Sequence, residues 1–165
     1  MEEIERLQDN LLLVRRVVGW TAEEFGDRIG VTRQTINNIE SGRNRLTKTQ
    51  YIAMRSVLDA EMSQAPNDTE MLKVLLEVLV DHPELYTKQQ REEILNKANM
   101  MAPSILIGTA SRESVSKEWI RATSKILGAG VILSAGALMG TLGAGAVAMT
   151  GWLAKVIADT NTKKK

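Results

Sequence analysis

Four polar residues with paired hydrogen-bonding groups cluster on the outer face of a short predicted helix, residues 33–41. They are Arg33, Gln34, Asn37 and Asn38. Guanidinium and side-chain amide groups match the donor and acceptor pattern of base edges in the major groove of DNA. A face that served only solubility would more usually carry Glu and Lys. The pattern therefore predicts a surface that can read DNA bases.

A second short helix is predicted at residues 22–29, and a tight turn around Gly30 and Val31 would join it to helix 33–41. Gly26 is small where the two helices must approach closely. Apolar residues at helical spacing would fix the angle between them. These residues are Phe25, Ile29, Val31, Ile36 and Ile39.

Capping signals mark several helix starts. A Thr followed three residues later by Glu or Gln can satisfy two free backbone amides at once. This pattern occurs at Thr21/Glu24, Thr47/Gln50 and Thr87/Gln90. With the apolar periodicity it predicts helices at 8–18, 22–29, 33–41, 48–62, 69–81 and 88–101. Pro83 disfavours a helical conformation at His82.

The run WTAEEFGDRIGVTRQTINNIESGR (residues 20–43), with Leu11-Leu-Leu-Val-Arg-Arg16 before it, resembles the XRE-type, phage-repressor-like helix-turn-helix family. The resemblance covers residues 8–62. It implies a bundle of about five helices, a recognition helix at 32–41 and dimeric binding to double-stranded DNA. The expected function is a sequence-specific transcriptional regulator, most simply a repressor.

The resemblance also implies roles for single residues. Arg33, Gln34 and Asn38 would read bases, and Thr32 would cap the recognition helix near a phosphate. Arg15 and Glu40 would pair and hold the first helix on the third. Ala22 departs from the family, which commonly has Gln or Ser there to hold a phosphate, and Thr21 would replace that contact. The other predicted DNA-contacting residues are Thr35, Asn37, Arg43 and Arg45.

Composition limits the other classes of function. The net charge of the 165 residues is +1, so nucleic-acid binding must come from a local patch. Cysteine is absent, which excludes disulfides and thiolate zinc sites and favours the cytoplasm. The acidic start has no apolar stretch, so no secretory signal is expected. His82 is the single histidine and no catalytic set is recognisable. We therefore predict no enzyme activity, metal or cofactor.

Residues 66–103 form a second amphipathic block, in which helix 69–81 carries a broad apolar stripe. Two helices cannot hide this much apolar surface alone. The block would pack on the first domain (1–65), on a sister subunit or on the C-terminal segment (104–165). The predicted fold is all-α, with an N-terminal helix-turn-helix bundle, this helical block and a Gly/Ala-rich C-terminal helix or helical hairpin.

The C-terminal segment includes 29 consecutive uncharged residues, 126–154, with small residues at every fourth position. These are Gly136, Gly140, Ala144 and Ala148. They would form a flat groove for close packing of another helix. The segment resembles glycine-zipper membrane segments, so it predicts attachment to lipid at the inner face of the cytoplasmic membrane, or a homo-oligomer of at least two chains. Two rival functions remain open: a membrane-acting effector whose N-terminal domain only controls its own expression, and a fully soluble oligomeric repressor.

Overall fold

The computed structural model describes residues 2–128, and every regular element in that range is helical. This agrees with the predicted all-α class. The α-helices are α1 (Glu2–Val18), α2 (Ala22–Ile29), α3 (Arg33–Glu40), α4 (Lys48–Gln64), α5 (Glu70–Leu76), α6 (Lys88–Leu106) and α7 (Arg112–Leu127). A π-helix (Glu77–Asp81) continues α5, and a 3-10 turn (Pro83–Leu85) precedes α6.

The three predicted capping boxes are confirmed. In each, the Thr hydroxyl accepts from the backbone amide three residues on, and the Glu or Gln side chain accepts from the Thr backbone amide. Helices α2, α4 and α6 consequently start where the sequence predicted. The chain leaves the helical path at His82, as Pro83 predicted.

Helix α1 is the central element, and it begins six residues earlier than the predicted residue 8. Ile4 and Leu7 extend the apolar stripe of Leu11 and Val14 at helical spacing, and Leu7 and Leu11 are fully buried. The first turn is acidic, and its negative side chains interact favourably with the positive end of the helix dipole. Because α1 contacts α3, α4, α5 and α6, it joins the N-terminal bundle to the rest of the chain.

The middle block packs on the N-terminal bundle, the first of the three predicted partners. The apolar stripe of α5 and the π-helix is buried in one core with α1, and its members include Met71, Leu72, Leu75 and Val78. Nε of Arg6 on α1 donates to the carbonyl of Val80 at 2.7 Å, which ties the π-helix to α1. Helix α7 adds the fully buried Trp119 to the same core.

Two features of the C-terminal part differ from the sequence prediction. Helix α6 continues to Leu106 with Pro103 inside it, so the predicted boundary at 103/104 falls within a helix. The amphipathic helix α7 then occupies the first part of segment 104–165, for which the sequence predicted a Gly/Ala-rich helix or helical hairpin. The predicted packing residues Gly136, Gly140, Ala144 and Ala148 lie outside the described residues. Over 2–128, no helix combines the length and apolar character needed to cross a bilayer.

Candidate nucleic-acid interface

The turn between α2 and α3 depends on two glycines. Gly30 ends α2 in the left-handed conformation at φ 75°. The backbone amide of Val31 donates to the carbonyl of Gly26 at 2.9 Å, and a Cβ at Gly26 would lie 2.5 Å from the carbonyl oxygen of Val31. The predicted close approach at Gly26 is therefore confirmed, and it sets the relative placement of the two helices.

The predicted Arg15–Glu40 pair is also confirmed. Nε of Arg15 lies 2.6 Å from Oε1 of Glu40, and Nη2 donates to Oε2 at 3.0 Å. The side chains are only 8 % and 7 % exposed, so this two-bond contact is shielded from water. Nη1 of Arg15 donates to the carbonyl of Trp20 at 2.8 Å. One guanidinium on α1 thus holds both the end of α3 and the residue before the α2 cap.

The outer face of α3 carries the predicted base-reading residues. Arg33 and Gln34 are exposed at the start of the helix, whereas Ile36 and Ile39 are buried on the opposite face. Nε2 of Gln34 donates to Oδ1 of Asn38 at 3.0 Å, so the two amides form a single unit. This face is shared by residues 33, 34, 37 and 38, because their positions around the helix axis span only a little more than a third of a turn.

Thr32 and Thr35 lie beside that face, at the N-terminus of α3. The hydroxyl oxygen of Thr32 accepts from the backbone amide of Thr35 at 3.2 Å, and the two hydroxyls are 3.0 Å apart. Thr32 is the N-cap that the sequence predicted. Thr35 is half-buried and bonded to the cap, so it is less accessible than Arg33 and Gln34.

The loop that follows α3 holds Arg43 and Arg45, and both are exposed. Its shape depends on Gln8 of α1, which the sequence analysis did not identify. Nε2 of Gln8 donates to the carbonyls of Ile39 at 3.0 Å and Asn44 at 2.8 Å, and Oε1 accepts from the amide of Leu46 at 2.9 Å. One amide side chain therefore fixes both ends of the loop.

Thr21 lies at the N-terminus of α2, beside Ala22, which is buried. The Thr21 backbone amide donates to Oε2 of Glu24 at 2.7 Å, and this bond lowers the pKa of the Glu24 carboxyl. The Thr21 hydroxyl oxygen accepts from the Glu24 backbone amide, which completes the capping box. A second residue that the sequence analysis missed is the exposed Arg28, whose guanidinium stacks 4.1 Å from the ring centre of Trp20.

Comparison with known families gives one match in the part of the chain that holds this geometry. The family model described as helix-turn-helix matches residues 14–63, from the last third of α1 almost to the end of α4. Comparisons with curated proteins and with solved structures gave no match. The family match and the geometry together support an XRE-like helix-turn-helix, a DNA-binding type of domain, at residues 14–63.

Proposed function

We propose that the protein is a sequence-specific transcriptional regulator that represses by binding double-stranded DNA as a homodimer or larger oligomer. The observation that carries this proposal is the Gln34–Asn38 amide pair on the exposed face of α3. Within the described residues, Oε1 of Gln34 and Nδ2 of Asn38 have no protein partner. One acceptor and one donor group therefore remain available on the same face.

An amide side chain can bind N6 and N7 of adenine with two hydrogen bonds. Because Gln34 and Asn38 already hold each other in place, less side-chain entropy is lost on binding than for two free side chains. Arg33, one residue before Gln34, would bind O6 and N7 of a guanine or a neighbouring phosphate. Asn37 lies between these residues and would extend the reading surface.

The residues around α3 would position the domain on the DNA backbone. Arg43 and Arg45 are exposed on the loop after α3, and Thr21 and Thr32 lie at the starts of α2 and α3. Cations and helix N-termini are the groups that usually bind phosphate oxygens. Thr35 would support this contact through its bond to Thr32.

The test separates base reading from backbone contact. With a binding site selected from random DNA, Gln34→Ala should weaken binding to that site by about 1–3 kcal/mol and leave binding to random DNA unchanged. Gln64→Ala, at the exposed end of α4, is the matched control and should change neither. Arg43→Ala should weaken binding to all DNA and reduce the log-log salt slope by about one unit. Equal losses on both DNAs for Gln34→Ala would contradict base reading.

For the C-terminal segment we propose attachment to the cytoplasmic face of a membrane, assembly of several copies, or both. The support is its sequence: glycine costs a helix up to about 1 kcal/mol relative to alanine, so small residues at every fourth position favour a close helix partner. Gly140→Leu should reduce the oligomer size in mild detergent. It should also weaken operator binding, since two recognition helices must meet half-sites about 34 Å apart. An unchanged oligomer and unchanged affinity would exclude this groove as a contact.

A further inference from the structure

Helices α6 and α7 are antiparallel neighbours, so the end of α7 lies beside the start of α6. Nε2 of Gln90, in the first turn of α6, donates to the carbonyl of Ile126 near the end of α7 at 3.1 Å. Leu85, at the end of the 3-10 turn before α6, is 69 % exposed. An exposed leucine therefore lies at the end of the α6–α7 pair where α7 finishes.

The outer face of α7 is basic towards this same end. Lys117, Arg121 and Lys125 recur at every fourth residue, opposite the buried Val115 and Trp119. Nζ of Lys117 lies 2.6 Å from Oε1 of Glu113, but Arg121 and Lys125 have no ion-pair partner within the described residues. From 119 to 158 the sequence has three cations and no Asp or Glu. The last two turns of α7 thus carry two exposed cations and no acidic residue.

The chain continues from Lys125 directly into the uncharged run 126–154. We propose that this end of the α6–α7 pair is a docking surface for an anionic phospholipid bilayer. Arg121 and Lys125 would meet headgroup phosphates, and Leu85 would enter the boundary between headgroups and acyl chains. This inference rests on the proposed membrane attachment of the C-terminal segment, and it assigns the lipid class and the residues that recognise it.

Two observations favour a bilayer over a nucleic acid as the occupant. The cations lie at the same end of the α6–α7 pair as an exposed leucine, and a bilayer offers that leucine an apolar layer whereas a phosphate backbone does not. They also precede an uncharged run, the usual place for cations that bind acidic lipids. The net charge of +1 gives the whole chain little general attraction for anions of either kind, so binding to either would depend on a local surface.

The experiment uses the full chain and flotation with two kinds of vesicle, pure phosphatidylcholine and phosphatidylcholine mixed with phosphatidylglycerol. We expect tighter binding to the mixed vesicles, with an advantage that falls as salt rises. The double variant Arg121→Gln/Lys125→Gln should weaken binding to them by about 25-fold, or about fivefold for each cation. Leu85→Ser should weaken it further, whereas Leu12→Ser, at an exposed leucine of α1, should not.

A second double variant removes the same number of cations from another part of the protein, and so controls for the change in net charge. Arg33→Gln/Arg43→Gln removes two exposed cations from the DNA-binding domain, and it should lower DNA affinity while vesicle binding stays the same. The α7 double variant should lower vesicle binding and leave DNA affinity and the melting temperature unchanged.

Two outcomes would overturn the proposal. One is an equal loss of vesicle binding in both double variants, and the other is a loss of DNA binding in the α7 double variant but not in the other. Equal binding to both vesicle types would overturn this surface but retain membrane attachment. If the protein binds neither type of vesicle, both this surface and the membrane attachment are overturned. The DNA-binding proposal would still be decided by its own test.

Discussion

Gly26 and Gly30 lie four residues apart, and each is a glycine for a different reason. At Gly26 the backbone of the turn leaves no room for a side chain, because a Cβ would lie 2.5 Å from the carbonyl oxygen of Val31. At Gly30 there is open space, but φ is 75°, a conformation that side chains with a Cβ disfavour. The first glycine sets the distance between α2 and α3, and the second sets the direction of the chain between them.

We expect Gly26→Ala to destabilise the domain by about 1–3 kcal/mol and to weaken binding to the selected DNA site. The added methyl would meet backbone atoms, so α2 and α3 must separate to make room. Gly30→Asn is the matched control, since asparagine tolerates the left-handed conformation and nothing lies within 4 Å. Urea unfolding and DNA titration of both variants check this. A Gly26→Ala variant as stable as Gly30→Asn would contradict the close approach.

Residues whose role is local could be predicted from the sequence, and residues with distant backbone partners could not. Gly26 lies in α2 against the short turn that follows this helix, and Thr21 caps the same helix, so spacing alone identified both. Arg15 and Glu40 were found through the family resemblance. Gln8 makes three bonds to backbone groups more than 30 residues away. Backbone groups have no sequence signature, so nothing marked this glutamine before the loop position was known.

At the scale of elements, capping and periodicity predicted the helices from α1 to α6, with some ends misplaced, but they did not predict α7. The start of α1 was missed because its acidic first turn reads as a solvated tail, although Ile4 and Leu7 continue the stripe. The predicted helix 69–81 is continuous, but it changes from α to π geometry at Glu77. The contact between Arg6 and Val80 lies in this π turn. The change from α to π geometry involves contacts with α1, and the sequence of the helix alone does not reveal these contacts.

The dependence of the 41–46 loop on α1 can be tested at Gln8. Gln8→Leu keeps the helix but removes all three bonds to the loop, so Arg43 and Arg45 would lose their fixed positions. We expect weaker DNA binding and a smaller salt slope, with a loss of about 1–3 kcal/mol in the free energy of unfolding. The control is Asn10→Ala, because Asn10 bonds only within α1, to the carbonyl of Arg6. A Gln8→Leu variant with unchanged DNA affinity would show that the loop needs no support from α1.

At the scale of the described molecule, residues 2–128, three arginines join the four N-terminal helices, α1 to α4, to the helices that follow them. Arg6 bonds to the π-helix, and Nη2 of the buried Arg55 donates to Oδ2 of Asp81 at 3.1 Å. Burial raises the pKa of Asp81 against the opposing effect of the Arg55 guanidinium. Arg112, at the start of α7, makes the third connection. These pairs could not be predicted, because each needs the docking of elements 26 or more residues apart in sequence.

Arg112 connects α7 to two ends of the DNA-binding domain. Its Nη1 lies 2.5 Å from Oε1 of Glu61 on α4 and donates to the carbonyl of Val18 at 3.3 Å. Val18 ends α1, three residues before the cap of α2. The carboxylate of Glu61 is only 19 % exposed, so loss of its partner leaves a half-buried charge. Arg112 is therefore placed to transmit a displacement of α7 to the start of α2.

We expect Arg112→Ala to lower the free energy of unfolding by about 2 kcal/mol, because a charge-assisted bond is lost and Glu61 remains. Amide exchange should speed up in α7 and around 18–21, while α3 stays protected by the Arg15–Glu40 pair. Arg112→Lys keeps the charge but loses the planar guanidinium, so its free energy of unfolding should lie between those of Arg112→Ala and the unchanged protein. Glu61→Gln completes a double-mutant cycle measured by urea unfolding. If the two substitutions contribute additively, Arg112 and Glu61 are not coupled, and the contribution of Arg112 would come from its contacts with the Val18 carbonyl and Asp68.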